Sequence, residues 1–396
     1  MRVKRMVSKS RLEPRNVPKI SPSSVKMHRA FVGRGACSQV HQVTLQHKKE
    51  KRYYALKALD TTRSTSNGFA FVSSPDTDLR LEADILSRLN HPNIIHLHGV
   101  SSSSSSTRDD GEEQEMDGFG TMGMFLILDF LDDTLSQRLM RWRLDKEFGR
   151  PTITSQQIRS EEVRYRIQRV ALGIANGMNY LHSQKVVLRD LKPDNVGFDY
   201  HGTVKLFDFG FARELHACDN SEIAGSFRYM APEHLRAIDE NCPVLNVELS
   251  SDVYSFGLLL WELCTLEKPY HQIDSQEELV EAVVHQQWRP PVRSIPSALI
   301  RTLIAQCWHD LPSHRPNFDI ICDMLEQKLI PRSQRRKHRQ KYAKSAETSL
   351  GQAATRRWGR FKTSSPQYLR ERSGDSTLSG HSEGSEGDSF QDNNSV

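Results

Sequence analysis

Two carboxylates and an amide stand close together in the middle of this chain. Asp190 and Asn195 lie in a short polar loop, residues 188–195, between apolar residues 186–187 and Val196. Thirteen residues after Asn195 comes Asp208, which opens a second polar island, Asp208, Phe209 and Gly210, at the end of the strand-like run 203–207. Loops at strand ends can bring three such groups to one point. Asp208 and Asn195 then offer the hard oxygen ligands that Mg²⁺ takes beside phosphate oxygens. Asp190 is placed to accept the proton of an attacking hydroxyl.

Other elements must position those groups. Residues 28–59 read as strand, Gly-rich turn, strand, charged turn and strand, with Gly33 and Gly35 in the first turn and Ala55 and Lys57 on the last strand. Glycines there let backbone N–H groups approach phosphate oxygens closely. Residues 78–89 carry helical spacing, with Leu81, Ile85, Leu86 and Leu89 expected on one face and Glu82 at its border. An unpaired inward glutamate is costly, and a Lys57–Glu82 ion pair removes the cost. Residues 124–131 read as a strand, and 163–182 as a helix leading into the polar loop.

Taken together, Gly33, Arg34, Gly35 and Ser38, then Lys57, Glu82, the run Leu188 to Asn195, Asp208 to Gly210, and Ala231, Pro232 and Glu233 resemble the protein kinases in order and spacing. The resemblance covers about residues 29–328 and implies an α+β fold, with a small β-rich N-lobe containing one main helix and a larger, mostly helical C-lobe. It implies ATP with Mg²⁺ or Mn²⁺ as cofactors, the metal held by Asn195 and Asp208. Lys57, oriented by Glu82, would hold the phosphates; Asp190 would orient the acceptor hydroxyl and Lys192 would stabilise the transferring phosphoryl group. Val40 and Ala55 would line the adenine slot, Leu128 would be the gatekeeper, and Asp129 and Leu131 would offer backbone groups to the base. Asp252 would hold the catalytic loop from below, and Arg315 would pair with Glu233.

Lys192, two residues after Asp190, and the step Gly225–Ser226 resemble serine/threonine kinases. Residues 252–261 and 307–318 echo the tyrosine-kinase side, and residues 307–318 in particular the tyrosine-kinase-like group. Protein substrates with Ser/Thr acceptors are therefore expected, with tyrosine or dual specificity as the alternative. The rival class is a pseudokinase scaffold. Its support is Leu188, where the family usually has histidine, and Ser38, where it usually has a third glycine. Leu188 is expected to fill space beside Leu86, Leu97 and Phe209. Gly197 stands where a large apolar residue usually packs beneath adenine, which predicts a roomier pocket that Gly197→Leu would tighten. Arg189 and Arg213 near the activation segment point to a phosphate site, with Ser221 as its candidate.

Composition bounds the rest. The chain has 396 residues, 37% hydrophobic, and a net charge of +5, enough for a two-lobed core with tails. A disordered basic arm is expected over 1–27, a kinase domain over 28–330 (N-lobe 28–128, hinge 129–131, C-lobe 132–330), and a disordered tail over 331–396. Insertions are expected near 60–75, 101–123 and 141–160. Cys37, Cys218, Cys242, Cys264, Cys307 and Cys322 lack C-x-x-C spacing and read as free thiols of a reducing compartment. No apolar run is long enough to span a membrane. A cytoplasmic location is expected; the basic cluster 335–341 leaves nuclear import open, and the basic N-terminus leaves organelle targeting open. That cluster lies in the tail rather than on a folded face, so nucleic acid is not an expected partner. The oligomeric state is not legible.

Overall fold

The computed structural model describes residues 15–34, 38–46, 52–59, 75–102, 123–148, 162–215, 224–240, 242 and 248–327. Side chains are described for all of these except residues 29–34, 75, 76 and 148. Within them the chain has an α+β, two-lobed fold.

The first lobe is a six-stranded sheet. Its strands are β1 (Lys19–Ile20), β2 (Val25–Arg34), β3 (Ser38–Leu45), β4 (Tyr54–Leu59), β5 (Leu97–Ser101) and β6 (Phe125–Asp129), in the order β1-β5-β6-β4-β3-β2. Neighbours are antiparallel except β1 and β5. Side chains alternate across a strand, and β4 shows the consequence. Tyr54, Leu56 and Ala58 enter a small core with Val25, Val43, Phe125 and Ile127 on one face. Ala55 enters the main core on the other face with Leu126 and Leu128. Lys57 shares the parity of Ala55, so the strand aims it at the helix α1 (Pro75–Arg88) and the cleft.

Helix α1 buries Leu79, Glu82, Ala83 and Leu86, an i, i+3, i+4, i+7 stripe. Of the expected inner face, Ile85, Leu86 and Leu89 are buried, whereas Leu81 is exposed and Leu79 is buried instead.

Residues 129–131 lead into β7 (Asp133–Thr134), α2 (Leu135–Phe148) and the second lobe. A π-helical stretch, Arg166–Ala171, runs into α3 (Leu172–Ser183). The polar loop follows β8 (Val186–Val187). It precedes β9 (Val196–Phe198), β10 (Val204–Leu206) and β11 (Arg213–Glu214). Then come α4 (Pro232–Asp239), α5 (Leu249–Thr265), α6 (Gln276–Val280), α7 (Ala298–Cys307) and α8 (Phe318–Gln327). Helix α5 is the axis of this lobe: Tyr254, Phe256 and Trp261 are fully buried, and α7 packs against it while α8 packs on α3. The lobes are stitched near the cleft, where Leu206 donates its N–H to Asn93 O (2.9 Å) and accepts from Ile95 N–H (2.9 Å).

Two expected boundaries change. Residues 15–27, read as part of a disordered arm, pack on the first lobe. Arg15 donates from its backbone N–H and Nε to Ser87 O and from Nη2 to Leu86 O, each at 3.0 Å. Val100 and Ser102 donate to Pro18 O and Ile20 O, adding β1 to the sheet edge. The arm thus adds donors to carbonyls in the last turn of α1, where intrahelical donors run out. Residues 141–148, read as the start of an insertion, continue α2 instead, because Arg143 reaches Leu266 O and Glu262 and Lys146 reaches Thr265 O. Residues 60–74, 103–122, 149–161 and 328–396 lie outside the described residues. Burial pushes the thiols of Cys307 and Cys322 up, the latter to about 12, which disfavours the thiolate form. Among the described residues no helix is long and apolar enough to cross a membrane.

Candidate active site

The polar loop is held from beneath. Asp252, 1% exposed in the first turn of α5, accepts the N–H groups of Leu188 and Arg189 (2.9 Å each) and faces His182 Nε2 at 2.9 Å. These bonds sustain a φ of 71° at Arg189, a conformation disfavoured for a residue with a Cβ. The kink turns Asp190 toward the cleft. Its Oδ1 accepts Ser226 N–H (2.9 Å); its Oδ2 accepts Lys192 Nζ (2.6 Å) and Asn195 Nδ2 (2.9 Å). Lys192 Nζ also donates to Ser226 Oγ (2.7 Å), and Asn195 Nδ2 to Asp190 O (2.9 Å). Gly225 permits this closeness. It sits at φ 116°, and a Cβ there would lie 2.5 Å from Arg189 O.

A second cluster faces the first across the cleft. Lys57 Nζ donates to Glu82 Oε2 (2.7 Å) and to Asp208 Oδ1 (2.8 Å). Burial alone would lower the lysine's pKa, but the two carboxylates outweigh it and hold the ammonium above its ordinary range. The lysine pulls the Asp208 carboxyl below its usual range despite burial. Glu82 moves the other way, raised by burial and by Asp208 against the pull of Lys57. Lys57 thus keeps Asp208 ionised, and Glu82 is the weaker acid of the pair. Glu82 Oε1 also accepts Phe209 N–H (3.2 Å), tying α1 to the stretch after β10. Asp208 itself lies at φ 63°, a strained position of the kind concentrated at functional sites.

Between the clusters is a cleft of about 860 Å³, in the range of small-molecule sites. Ser38, Val40, Ala55, Leu128, Asp129 and Leu131 line it together with Lys57, Glu82, Asp190, Lys192, Asn195 and Asp208. Among the described residues no hydrogen bond occupies the N–H or C=O of Leu131. The Asp129 carboxylate is bound by Arg52 and His98 (2.9 Å each), His96 N–H (3.0 Å) and Lys205 (3.3 Å), and its own N–H donates to His96 O (3.1 Å), so neither serves the cleft. Gly33 and Arg34 pair with Val40 and Gln39 through β2 and β3; the side chain of Arg34 and the whole of Gly35 lie outside the described residues.

Away from the cleft, Arg315 clasps Glu233 at 2.6 and 2.7 Å. Leu188 is buried in the same core as Leu86, Leu97 and Phe209. Arg213 donates to Gly210 O and Ala212 O and lies 3.7 Å from Asp78 of α1; Ser221 is outside the described residues. Two expectations need revision or addition. The roomier pocket at Gly197 is absent, because Leu131 and Phe207 fill the space a side chain there would take. Phe207, which lines the cleft, was not anticipated. Its one signal is a bulky residue just before Asp208, paired in size with the small Gly197, and one sequence cannot show that the two belong together.

A family model described as the protein kinase domain matches residues 27–330. The serine/threonine-protein kinase STY17 of Arabidopsis thaliana is 35% identical over 175 residues, 44% of this chain and 29% of that protein. Mitogen-activated protein kinase kinase kinase 13-A of Xenopus laevis is 42% identical over 155 residues, 39% and 15% of the two chains. The dual specificity protein kinase shkD of Dictyostelium discoideum is 29% identical over 257 residues, 64% and 29% of the two chains. The matched stretches span less than a third of each of these curated relatives.

Proposed function

The chain belongs to the protein kinase family, and from that premise we propose that it transfers the γ-phosphoryl group of ATP to Ser or Thr hydroxyls of protein substrates in signalling. The observation that carries the reading is the convergence of Lys57, Glu82 and Asp208 with Asp190, Lys192 and Asn195 on one cleft. Leu131, whose N–H and C=O carry no hydrogen bond among the described residues, offers the base a donor and an acceptor, and Lys57 offers the phosphates a fixed positive charge. Asp190 accepts the proton as the acceptor oxygen bonds to phosphorus; the bond to the bridging oxygen breaks and ADP leaves with its electron pair. Lys192 offsets charge on the transferred group. The chain contributes positioning and electrostatics rather than covalent chemistry.

The donor set suits Mg²⁺ or Mn²⁺. Asp208 supplies an ionised carboxylate, and Asn195 spends only its Nδ2 on Asp190, leaving its oxygen for a cation. Among the described residues no group of three His, Cys, Asp or Glu builds a closed cage, which fits a cation that shares its shell with phosphates and water. Bound there, the metal would neutralise phosphate charge.

Ser226 beside Lys192 and Asp190 supports a Ser/Thr acceptor over tyrosine. The completeness of the charged set weighs against a pseudokinase despite Leu188. With radiolabelled ATP and generic Ser/Thr and Tyr acceptors, wild type should label Ser/Thr and Asp208→Ala should not. Equal labelling by the two proteins, or label confined to tyrosine, would overturn the reading.

A further inference from the structure

Residues 15–20 bridge the last turn of α1 and the outer edge of β5. Arg15 donates from its backbone N–H and Nε to Ser87 O and from Nη2 to Leu86 O. Five residues on, Ile20 pairs with Ser101 in parallel register, and Pro18 O and Ile20 O accept the N–H groups of Val100 and Ser102 at 3.0 and 2.9 Å. The sheet is shaped for this guest. A Cβ on Gly99 would overlap Ile20 Cγ1 and stand 3.0 Å from Ile20 Cδ1 and 3.1 Å from Pro18 O. The Gly99 backbone is not in the left-handed region, so the missing side chain makes room for the arm rather than for a turn.

The helix so anchored carries a residue of the site. Buried Glu82 accepts Lys57 Nζ through Oε2 (2.7 Å) and Phe209 N–H through Oε1 (3.2 Å). Lys57 belongs to the sheet and Phe209 to the second lobe, so α1 must stay in register with both at once. The second lobe holds the helix through Glu214 on Arg88 and Arg213 near Asp78. The arm supplies the opposing tie, from the end of the helix to the sheet. Without β1 that edge of the sheet is open, with the N–H groups of Val100 and Ser102 unpaired.

We propose that the edge of β5 and the last turn of α1 form a docking surface whose ligand is this chain's own residues 15–20, and that the seated arm keeps Glu82 on Lys57. The surface fits an extended segment with a guanidinium at one end and a branched apolar residue five positions later, seated over Gly99. Arg15 and Ile20 are positioning residues: they act through α1 and line no part of the cleft. A strap held by so few bonds opens at far less cost than the lobe unfolds, so its seating can grade activity. The inference rests on the phosphotransfer reading above and adds a control on it.

The test is phosphotransfer to a generic Ser/Thr peptide by the full chain, a chain lacking residues 1–20, Arg15→Ala, Gly99→Ala, and Gly99→Ala in the shortened chain, with melting temperatures to verify folding. Each of the first three changes should lower kcat/KM for ATP about tenfold. KM for the acceptor peptide, set in the second lobe, should hold within about twofold. Once the arm is gone, Gly99→Ala should do no further harm, since alanine suits a strand better than glycine. A saturating synthetic peptide of residues 13–24 should return the shortened chain to within about threefold of full activity, and the same peptide carrying Arg15→Ala and Ile20→Asp should not. If the shortened chain melts below the assay temperature, Arg15→Ala and Gly99→Ala decide the matter. Full activity in the folded variants, a peptide that restores nothing, or a Gly99→Ala loss that persists without the arm would overturn the inference and leave the kinase reading intact. Folded wild type that transfers no phosphate would overturn that reading, and this inference with it.

Discussion

Gly225, near the reaction centre, has little freedom to change. Its φ of 116° and the 2.5 Å approach of Arg189 O leave no place for a Cβ. Gly225→Ala should move Ser226 off Asp190 Oδ1 and disturb the bond from Lys192 to Ser226. A displacement of about 1 Å at the acceptor side costs roughly 100-fold in kcat, while ATP affinity, set across the cleft at Lys57 and Leu131, should hold within about twofold in a binding titration. A variant with wild-type kcat would show that this contact network is not used. The charged residues of the site were legible because polar islands between apolar runs are conspicuous and their separations along the chain are characteristic. Phe207 was not, because an aromatic beside a strand reads as ordinary core until Gly197 and Leu131 are seen against it.

Helix α1 is tied at several points. Glu82 binds Lys57, Arg88 binds Glu214 of β11, Asp78 approaches Arg213, and Arg15 covers the carbonyls of Leu86 and Ser87. Removing residues 1–24, or Arg15→Ala alone, should expose the end of the helix. Losing hydrogen bonds to a charged group costs about 1.5–3 kcal/mol. The expected result is a lower denaturation midpoint and faster amide exchange in residues 79–89; exchange equal to wild type would show the arm to be a passive attachment. The arm escaped the sequence reading because short, basic and Pro-containing stretches look unstructured when their partners lie some 70 residues away. The last turns of α2 escaped for the same reason: Arg143 and Lys146 read as solvated charges until Glu262 and the end of α5 are beside them. On the inner face of α1 only Leu81 departs from expectation, because it fits a helical pattern that Leu79 fits better.

Across the molecule, half-buried His91 and His96 and buried His234 make stability depend on pH. His96 is lowered to about 4, chiefly by burial and then by the neighbouring His98 and Arg15, with Asp129 pulling the other way. Burial, helped by Lys205, lowers His91; burial, helped by Arg189 and Arg315, lowers His234. The unfolded chain takes up these protons near pH 6.5, while folded His96 resists until about pH 4. Their contribution is therefore whole above pH 6.5 and is lost as pH falls toward 4. The melting temperature should drop across that window, and His96→Gln should flatten the drop; parallel curves would exclude His96 as a source. The bilobal arrangement behind this was legible from the order of motifs and the length of the chain. How the lobes are stitched, by Asn93 and Ile95 on Leu206, depends on backbone groups, and no side-chain pattern announces those.

Among the described residues, Lys57 sits between two acids and donates to both. Any phosphate that recruits it must win it from Asp208, and Asp208 once released is an acid in want of a positive partner. Nucleotide and metal should therefore enter as a matched pair, each making room for the other, so that ADP stripped of divalent ions is a poor guest in a cleft otherwise shaped to receive it.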